Sequence, residues 1–204
     1  MKIICVGRNY SEHAKELNNP VPQEPVIFLK PDTALLPAKQ PFFYPAFSKD
    51  IHFEAELVIR INKVGKNISE KFAHKYYSEL TMGIDFTARD LQSDFKSKGL
   101  PWEKAKAFDG AAPIGKLLHV KDLPNPVDAT NFSLKVNGEE RQVGNTKDML
   151  FSVDALIAHI STYFTLKIGD LIFTGTPKGV GEIKINDHLE GFIEGKKVLD
   201  LKIK

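Results

Sequence analysis

The residues of this chain best suited to chemistry are acids. The stretch HFEAEL, residues 52–57, sets Glu54 and Glu56 two apart within the alternating run DIHFEAELVIRI. Side chains alternate across a strand, so these two carboxylates leave the same face. Like charges side by side on a strand repel, so water or a cation must compensate. Phe53, Ala55, Leu57 and Ile59 share the other face, while His52, Val58 and Arg60 join the acids. A solvated polar face explains this pattern and is the commoner outcome of such spacing. The alternative is a divalent-cation site, because Mg²⁺, Mn²⁺ and Ca²⁺ take carboxylate oxygens. It needs a third acid. GIDFTARD offers Asp85, set between Ile84 and Phe86, where a buried charge needs a partner. A capping or turn Asp is the competing reading there, with Asp90 as the other candidate. A set of acids without cysteine, and with only His52 nearby, favours Mg²⁺ or Mn²⁺ over zinc. His52 itself has no assigned role.

Three further groups stand out. In GRNYSEHAKE, His13 and Glu16 are spaced i, i+3, on one face of a short helix. A Glu beside a His holds its tautomer, which makes a workable general base for water. Surface His–Glu pairs of this kind are also common without any catalytic role. Arg8 follows Gly7 at a strand end, where it could grip a carboxylate. Lys106, in WEKAKAFDG, precedes an apolar turn; a partly buried lysine can stabilise an oxyanion, though most lysines are solvated. TGTPKGVG, residues 174–181, has the glycines of an anion loop without the Walker spacing.

The elements that must position these groups are mainly strands. KIICVG, VIFLK, DIHFEAELVIRI, MGIDFTARD, FDGAAPIGKLL and LIFTG read as strands. NFSLKVNGEERQ reads as a hairpin turned at Asn137-Gly138, and DHLEGFIEGKKVLDLKI as a strand, a turn and a strand. RNYSEHAKELNNP, SEKFAHKYYSEL, LQSDFKSKG and MLFSVDALIAHISTYFTL read as helices, the first stopping at Asn18-Asn19-Pro20 and the third at Gly99. Many short strands with turns between them indicate an α+β, mostly β domain rather than a doubly wound sheet.

At 204 residues the chain suits one domain, residues 1–204, that buries roughly 70% of its unfolded surface. A net charge of +2 with scattered lysines excludes a nucleic-acid stripe. No apolar run approaches the ~18 residues of a membrane span. MKIICVGRNY turns polar too early for a signal peptide, so the cytoplasm is the expected compartment. Without a secretion signal the sequons at Asn9, Asn67 and Asn131 are chance matches. The single cysteine, Cys5, is a small buried hydrophobe.

Taken in order, GRNYSEHAKE, EPVIFLKP, HFEAELVI, GIDFTARDLQ, KGLPWEKAKAFDGAAPIG, VNGEERQ and IFTGTPKGVG resemble the fumarylacetoacetate hydrolase family. LQSDFKSKGLPWEKAKAFD is especially similar to its short branch of acylpyruvases and oxaloacetate decarboxylases. The resemblance implies a mixed β-roll core with short flanking helices, and a homodimer. It implies metal ligation by Glu54, Glu56 and Asp85, normally of Mg²⁺ or Mn²⁺. His13 and Glu16 match the branch's water-activating dyad, on a lid spanning residues 8–20. Lys106 matches the active-site lysine, Arg89 and Gln92 match polar groups near metal and substrate, and Thr176 lies in the substrate-carboxylate loop.

The implied substrate is a small 2-oxo acid. Hydrolysis of the C3–C4 bond of an acylpyruvate and decarboxylation of oxaloacetate would share one pyruvate enolate. Isomerisation, decarboxylation or hydration of dioic acids from aromatic catabolism is the rival. A non-catalytic binding protein and a metal-dependent nuclease are the remaining alternatives, the last disfavoured by the balanced charge.

Overall fold

In the computed structural model, which describes residues 1–16, 20–37 and 39–204, strand outweighs helix. The chain runs β1 (Ile3–Val6), α1 (Ser11–Glu16), β2 (Ile27–Lys30), β3 (Ile51–Phe53), β4 (Ala55–Ile61), α2 (Glu70–Ala73) and β5 (Tyr77–Ile84). It continues through β6 (Thr87–Ala88), α3 (Arg89–Lys98), α4 (Glu103–Lys106), β7 (Leu118–His119), β8 (Asn131–Val136) and β9 (Glu139–Asn145). The last elements are α5 (Val153–Tyr163), β10 (Leu171–Phe173), β11 (Gly181–Glu182), β12 (His188–Ile193) and β13 (Lys196–Lys202).

Among the described residues three sheets form, ordered β2-β1-β10-β4-β5-β7, β13-β12-β8-β9 and β11-β3-β6. β1 and β10 run parallel, while β1 and β2, β10 and β4, and β4 and β5 run antiparallel. β12 and β13 pack against β5, so the largest sheet is covered. β1 lies inside this sheet, between β2 and β10, and all four residues of its continuous apolar run are buried. Cys5 among them is fully enclosed, and burial pushes its thiol pKa up. α5 packs on α2 with Leu156, Ile157 and Ile160 buried, and its Ser152 cap accepts a hydrogen bond from the Ala155 N–H. No helix among the described residues is long and apolar enough to cross a membrane.

Three sequence expectations are corrected. DIHFEAELVIRI is not one strand but two in different sheets, interrupted at Glu54. At the gap the Glu54 carbonyl accepts from Asp85 N–H (2.8 Å) and Ala55 N–H donates to the Gln142 side chain (2.9 Å). SEKFAHKYYSEL is helical only over Glu70–Ala73, and Tyr77 already begins β5. Pairing of Leu80 with Ile59 on β4 overrides the helical spacing. FDGAAPIGKLL makes only isolated bridges, Ala112 to Leu35 and Ile114 to Gly83, before β7. Pro113 cannot donate to a ladder and interrupts it.

Other local signals hold. Asn137 and Gly138 adopt φ of 53° and 84°, as a type I′ turn requires. Gly99 closes α3 in the left-handed region at φ 64°. α1 forms, but the stop expected at Asn18-Asn19 lies outside the described residues.

Candidate metal centre and active site

The break between β3 and β4 places the acids. Pairing of Ala55 with Ile84 brings Asp85, just past β5, beside Glu54. Glu56 enters from β4. One oxygen from each of Glu54, Glu56 and Asp85 lies within 4.8 Å of the others. All three residues are at most 5% exposed, so no solvated face exists here.

The donor set fits a hard divalent cation. Its atoms are carboxylate oxygens only. Glu56 accepts from the Gly175 N–H at 2.7 Å. Asp85 Oδ1 is buried without a hydrogen bond, although Lys30 Nζ stands 2.7 Å away as an ion-pair partner. A second acidic group on the β12–β13 hairpin differs: Lys197 Nζ already bridges Glu190 (3.0 Å) and Asp200 (2.7 Å) beside His188.

Three cations face the three carboxylates. Lys106, at the end of α4, donates to Glu54 Oε2 (2.7 Å), Asp85 Oδ2 (2.8 Å) and Thr87 Oγ1 (2.6 Å). Its ammonium also sits 5.4 Å from the Phe28 ring centroid. Arg89 donates to Glu54 Oε1 at 2.5 Å and to Gln92 Oε1 at 2.6 Å. Lys30 pairs with Asp85 and donates to the carbonyls of Lys106 and Ala111.

Burial works against the charge on Lys106, but Asp85 and Glu54 outweigh it and raise its pKa, keeping it an ammonium. Burial also opposes ionisation of Glu54, yet Lys106 and Arg89 hold that carboxyl below the usual range. Glu56 goes the other way: burial, then the charges of Asp85 and Glu54, push it well up.

This asymmetry sets a pH dependence. A protonated Glu56 must lose its proton to ligate a cation. Divalent-cation affinity is therefore expected to fall as pH drops through the raised Glu56 pKa, with protons released on binding. For the cation-free protein the sign reverses: a raised folded pKa stabilises at low pH and loses that contribution as pH rises through it. Mn²⁺ titration calorimetry in two buffers of different ionisation enthalpy measures the release. Equal heats in both would contradict it.

The dyad lies over the same place. His13 on α1 is 3% exposed, and its Nδ1 lies 3.1 Å from Glu16 Oε2. Glu16 also accepts from the Gly179 N–H, at 3.0 Å to one oxygen and 3.3 Å to the other. Gly179 has φ 96°, and a Cβ there would meet the Arg141 carbonyl at 2.4 Å, so glycine is required. The same loop reaches the three acids through Gly175, at φ 99°, whose missing Cβ leaves room for Asn9. Asn9, fully buried, fastens Phe151 and the Thr174 carbonyl, which leaves its sequon inaccessible.

One cavity is lined by Gly7, Arg8, His13, Phe28, Glu54, Arg89, Gln92, Lys96, Trp102 and Lys106. It gathers six of the ten expected site residues. Glu16 backs His13, while Glu56 and Asp85 stand beside Glu54. Thr176 is not among the lining residues: its hydroxyl donates to the Ala55 carbonyl (2.8 Å) and accepts from Gln142 Nε2 (2.8 Å). His52 pairs with Asp50 at 2.8 Å and is likewise not among the lining residues.

Sequence reasoning missed Lys30, Lys96 and Gln142. Lys30 alternates with Phe28 on β2, a signal that it shares the inward face. Lys96 follows Gln92 by four on α3, a signal of a shared helical stripe. Gln142, 1% exposed, ties the β8–β9 hairpin to the strand gap and to the Pro177 carbonyl; its motif was visible but its inward turn was not.

Residues 2–203 match the family described as Fumarylacetoacetate (FAA) hydrolase C-terminal. A mitochondrial oxaloacetate tautomerase of Mus musculus is 45% identical over 202 residues, 99% of this chain and 91% of that protein. An oxaloacetate tautomerase of Escherichia coli K12 is 41% identical over 194 residues, covering 95% and 89%. Fumarylpyruvate hydrolase from Pseudomonas aeruginosa, solved with Mn²⁺ and pyruvate, superposes with a TM-score of 0.92 at 36% identity, covering 100% of this chain and 89% of that one.

Proposed function

Because the chain belongs to the fumarylacetoacetate hydrolase family, we propose that it hydrolyses the C3–C4 bond of acylpyruvates, giving pyruvate and a carboxylate, and that it also processes oxaloacetate. A divalent cation held by Glu54, Glu56 and Asp85, Mg²⁺ or Mn²⁺, would polarise the substrate's 2-oxo group as a Lewis acid. The chain's own groups do the rest. With His13 Nδ1 held by Glu16, Nε2 takes a proton from water. The hydroxide adds to C4, the C3–C4 bond breaks, and its electrons form the pyruvate enolate. The proton on His13 then returns to C3. The Lys106 ammonium opposes the negative charge that develops.

The observation that carries this reading is the His13–Glu16 pair beside the same cavity as Glu54 and Lys106. A second reading, enol–keto tautomerisation of oxaloacetate, is favoured by the names of two relatives. It needs proton transfer at C3 but no attacking water.

Assays of acetylpyruvate, fumarylpyruvate and oxaloacetate side by side, with Mg²⁺ or Mn²⁺, test both. Pyruvate release from an acylpyruvate supports hydrolysis. Interconversion of oxaloacetate without any acylpyruvate cleavage would replace it with the second reading. His13→Ala is expected to lower hydrolysis by about 10²- to 10⁴-fold, the range of a lost general base. Its effect on oxaloacetate should be much smaller, and equal losses would remove the water-activating role.

A further inference from the structure

We propose that Gln142 and Thr176 are positioning residues for the acid centre: together they clamp the backbone of Ala55, between Glu54 and Glu56, so that the two carboxylates are presented to one divalent cation. This rests on the metal-ligation part of the reading above and adds to it residues outside the three acids.

β10 pairs with β4 only as far as Phe173 opposite Val58. Beyond that point the chain leaves the ladder, and the Gly175 N–H reaches the Glu56 carboxylate instead of a backbone carbonyl. Two side chains then take the place of a strand at Ala55. Gln142 Oε1 accepts from the Ala55 N–H (2.9 Å), and Thr176 Oγ1 donates to the Ala55 carbonyl (2.8 Å). The pair is joined, because Gln142 Nε2 donates to Thr176 Oγ1 (2.8 Å). The same nitrogen donates to the Pro177 carbonyl (2.9 Å). A main-chain N–H on one side and a main-chain carbonyl on the other allow the amide only one orientation. Burying an amide is costly unless it is hydrogen-bonded, and here the oxygen and both N–H groups are used.

A β-bulge delivers this amide. Gln142 pairs with Leu134 and Glu140 with Lys135, which leaves Arg141 as an extra residue of β9. On a regular strand Glu140 and Gln142 would share a face. Glu140 is exposed and Gln142 buried, so the bulge between them turns Gln142 inward. The loop that Gln142 holds at Pro177 also presents the Gly179 N–H to Glu16. One side chain thus fixes both the strand of the acids and the loop behind the His13–Glu16 pair.

The test is Mn²⁺ binding to the substrate-free protein, measured by titration calorimetry, with the Mn²⁺ electron paramagnetic resonance line shape as a report on ligand geometry. Gln142→Met keeps the length of the side chain and removes the hydrogen bonds of the amide. Its Mn²⁺ affinity is expected to fall about 10- to 100-fold, the range for residues that orient metal ligands, with an altered line shape. Thr176→Val is expected to lower the affinity as well, which a role confined to gripping substrate would not do. The two losses should combine less than additively, because both variants release the same backbone segment. Unchanged affinity and line shape in Gln142→Met, whatever its thermal midpoint, would reduce Gln142 to packing and overturn the inference, as would additive losses. If Gln142→Met does not fold, Thr176→Val decides alone: lowered affinity supports the clamp and unchanged affinity overturns it. Failure of the unsubstituted protein to bind Mn²⁺ would overturn the metal reading and this inference together.

Discussion

Glu54→Ala is expected to lose divalent-cation binding and turnover together. Glu54 is the most connected acid of the centre, meeting Lys106 through one oxygen and Arg89 through the other. Removing it leaves Lys30, Lys106 and Arg89 facing only Glu56 and Asp85. A cation would then enter a site with two acids and three positive charges. Mn²⁺ affinity should fall by more than the ~10- to 100-fold that a lost supporting contact costs. Breaking a buried pair costs about 3–5 kcal/mol, softened here because Lys106 keeps Asp85 and Thr87. Calorimetric titration of Mn²⁺, beside pyruvate release and a thermal melt, separates these effects. Full activity of metal-stripped Glu54→Ala would remove the triad from the chemistry.

The carboxylates show what a sequence carries and what it withholds. Their two-residue spacing signals a shared destination, and that destination is a buried centre. The spacing alone favoured a wet face, because alternation says which residues share a side but not what covers it. The cover comes from β5 and the loop at Gly175, far along the chain. The strand break at Glu54 was equally invisible: it depends on Gln142, 87 residues away, accepting the Ala55 N–H. Where the signal was local, as at Asn137-Gly138 or Gly99, reading and structure coincide. Where pairing decided the outcome, as at Tyr77–Leu80, helical spacing misled.

The resemblance carried the site further than spacing did. It set His13 apart from ordinary surface His–Glu pairs, a role that stays a proposal, and the structure shows how the pair is held. Glu16 is fixed at both ends, by His13 and by the Gly179 N–H, so α1 is fastened to the loop that also reaches Glu56. Lys30 escaped both kinds of reading. A lysine closing a four-residue strand reads as an edge residue pointing to water, yet its side chain is fully enclosed.

Lys30→Met should therefore destabilise the protein strongly when no cation is bound. Methionine matches the length of the stem but leaves Asp85 with Lys106 alone among these cations. The Lys106 carbonyl loses the ammonium as a donor as well, while the Ala111 carbonyl keeps the Phe86 N–H. Losing one partner of a buried pair costs about 3–5 kcal/mol. For a chain of this size that lowers Tm by roughly 10 °C. Saturating Mn²⁺ should recover part of the loss, because a divalent charge beside Asp85 replaces the missing ammonium and stabilises the folded state by mass action. The gap between variant and unsubstituted protein is thus wider in chelator than in Mn²⁺. Equal gaps in the two melts would reduce Lys30 to packing, and no gap in chelator would mean that Asp85 is compensated without it.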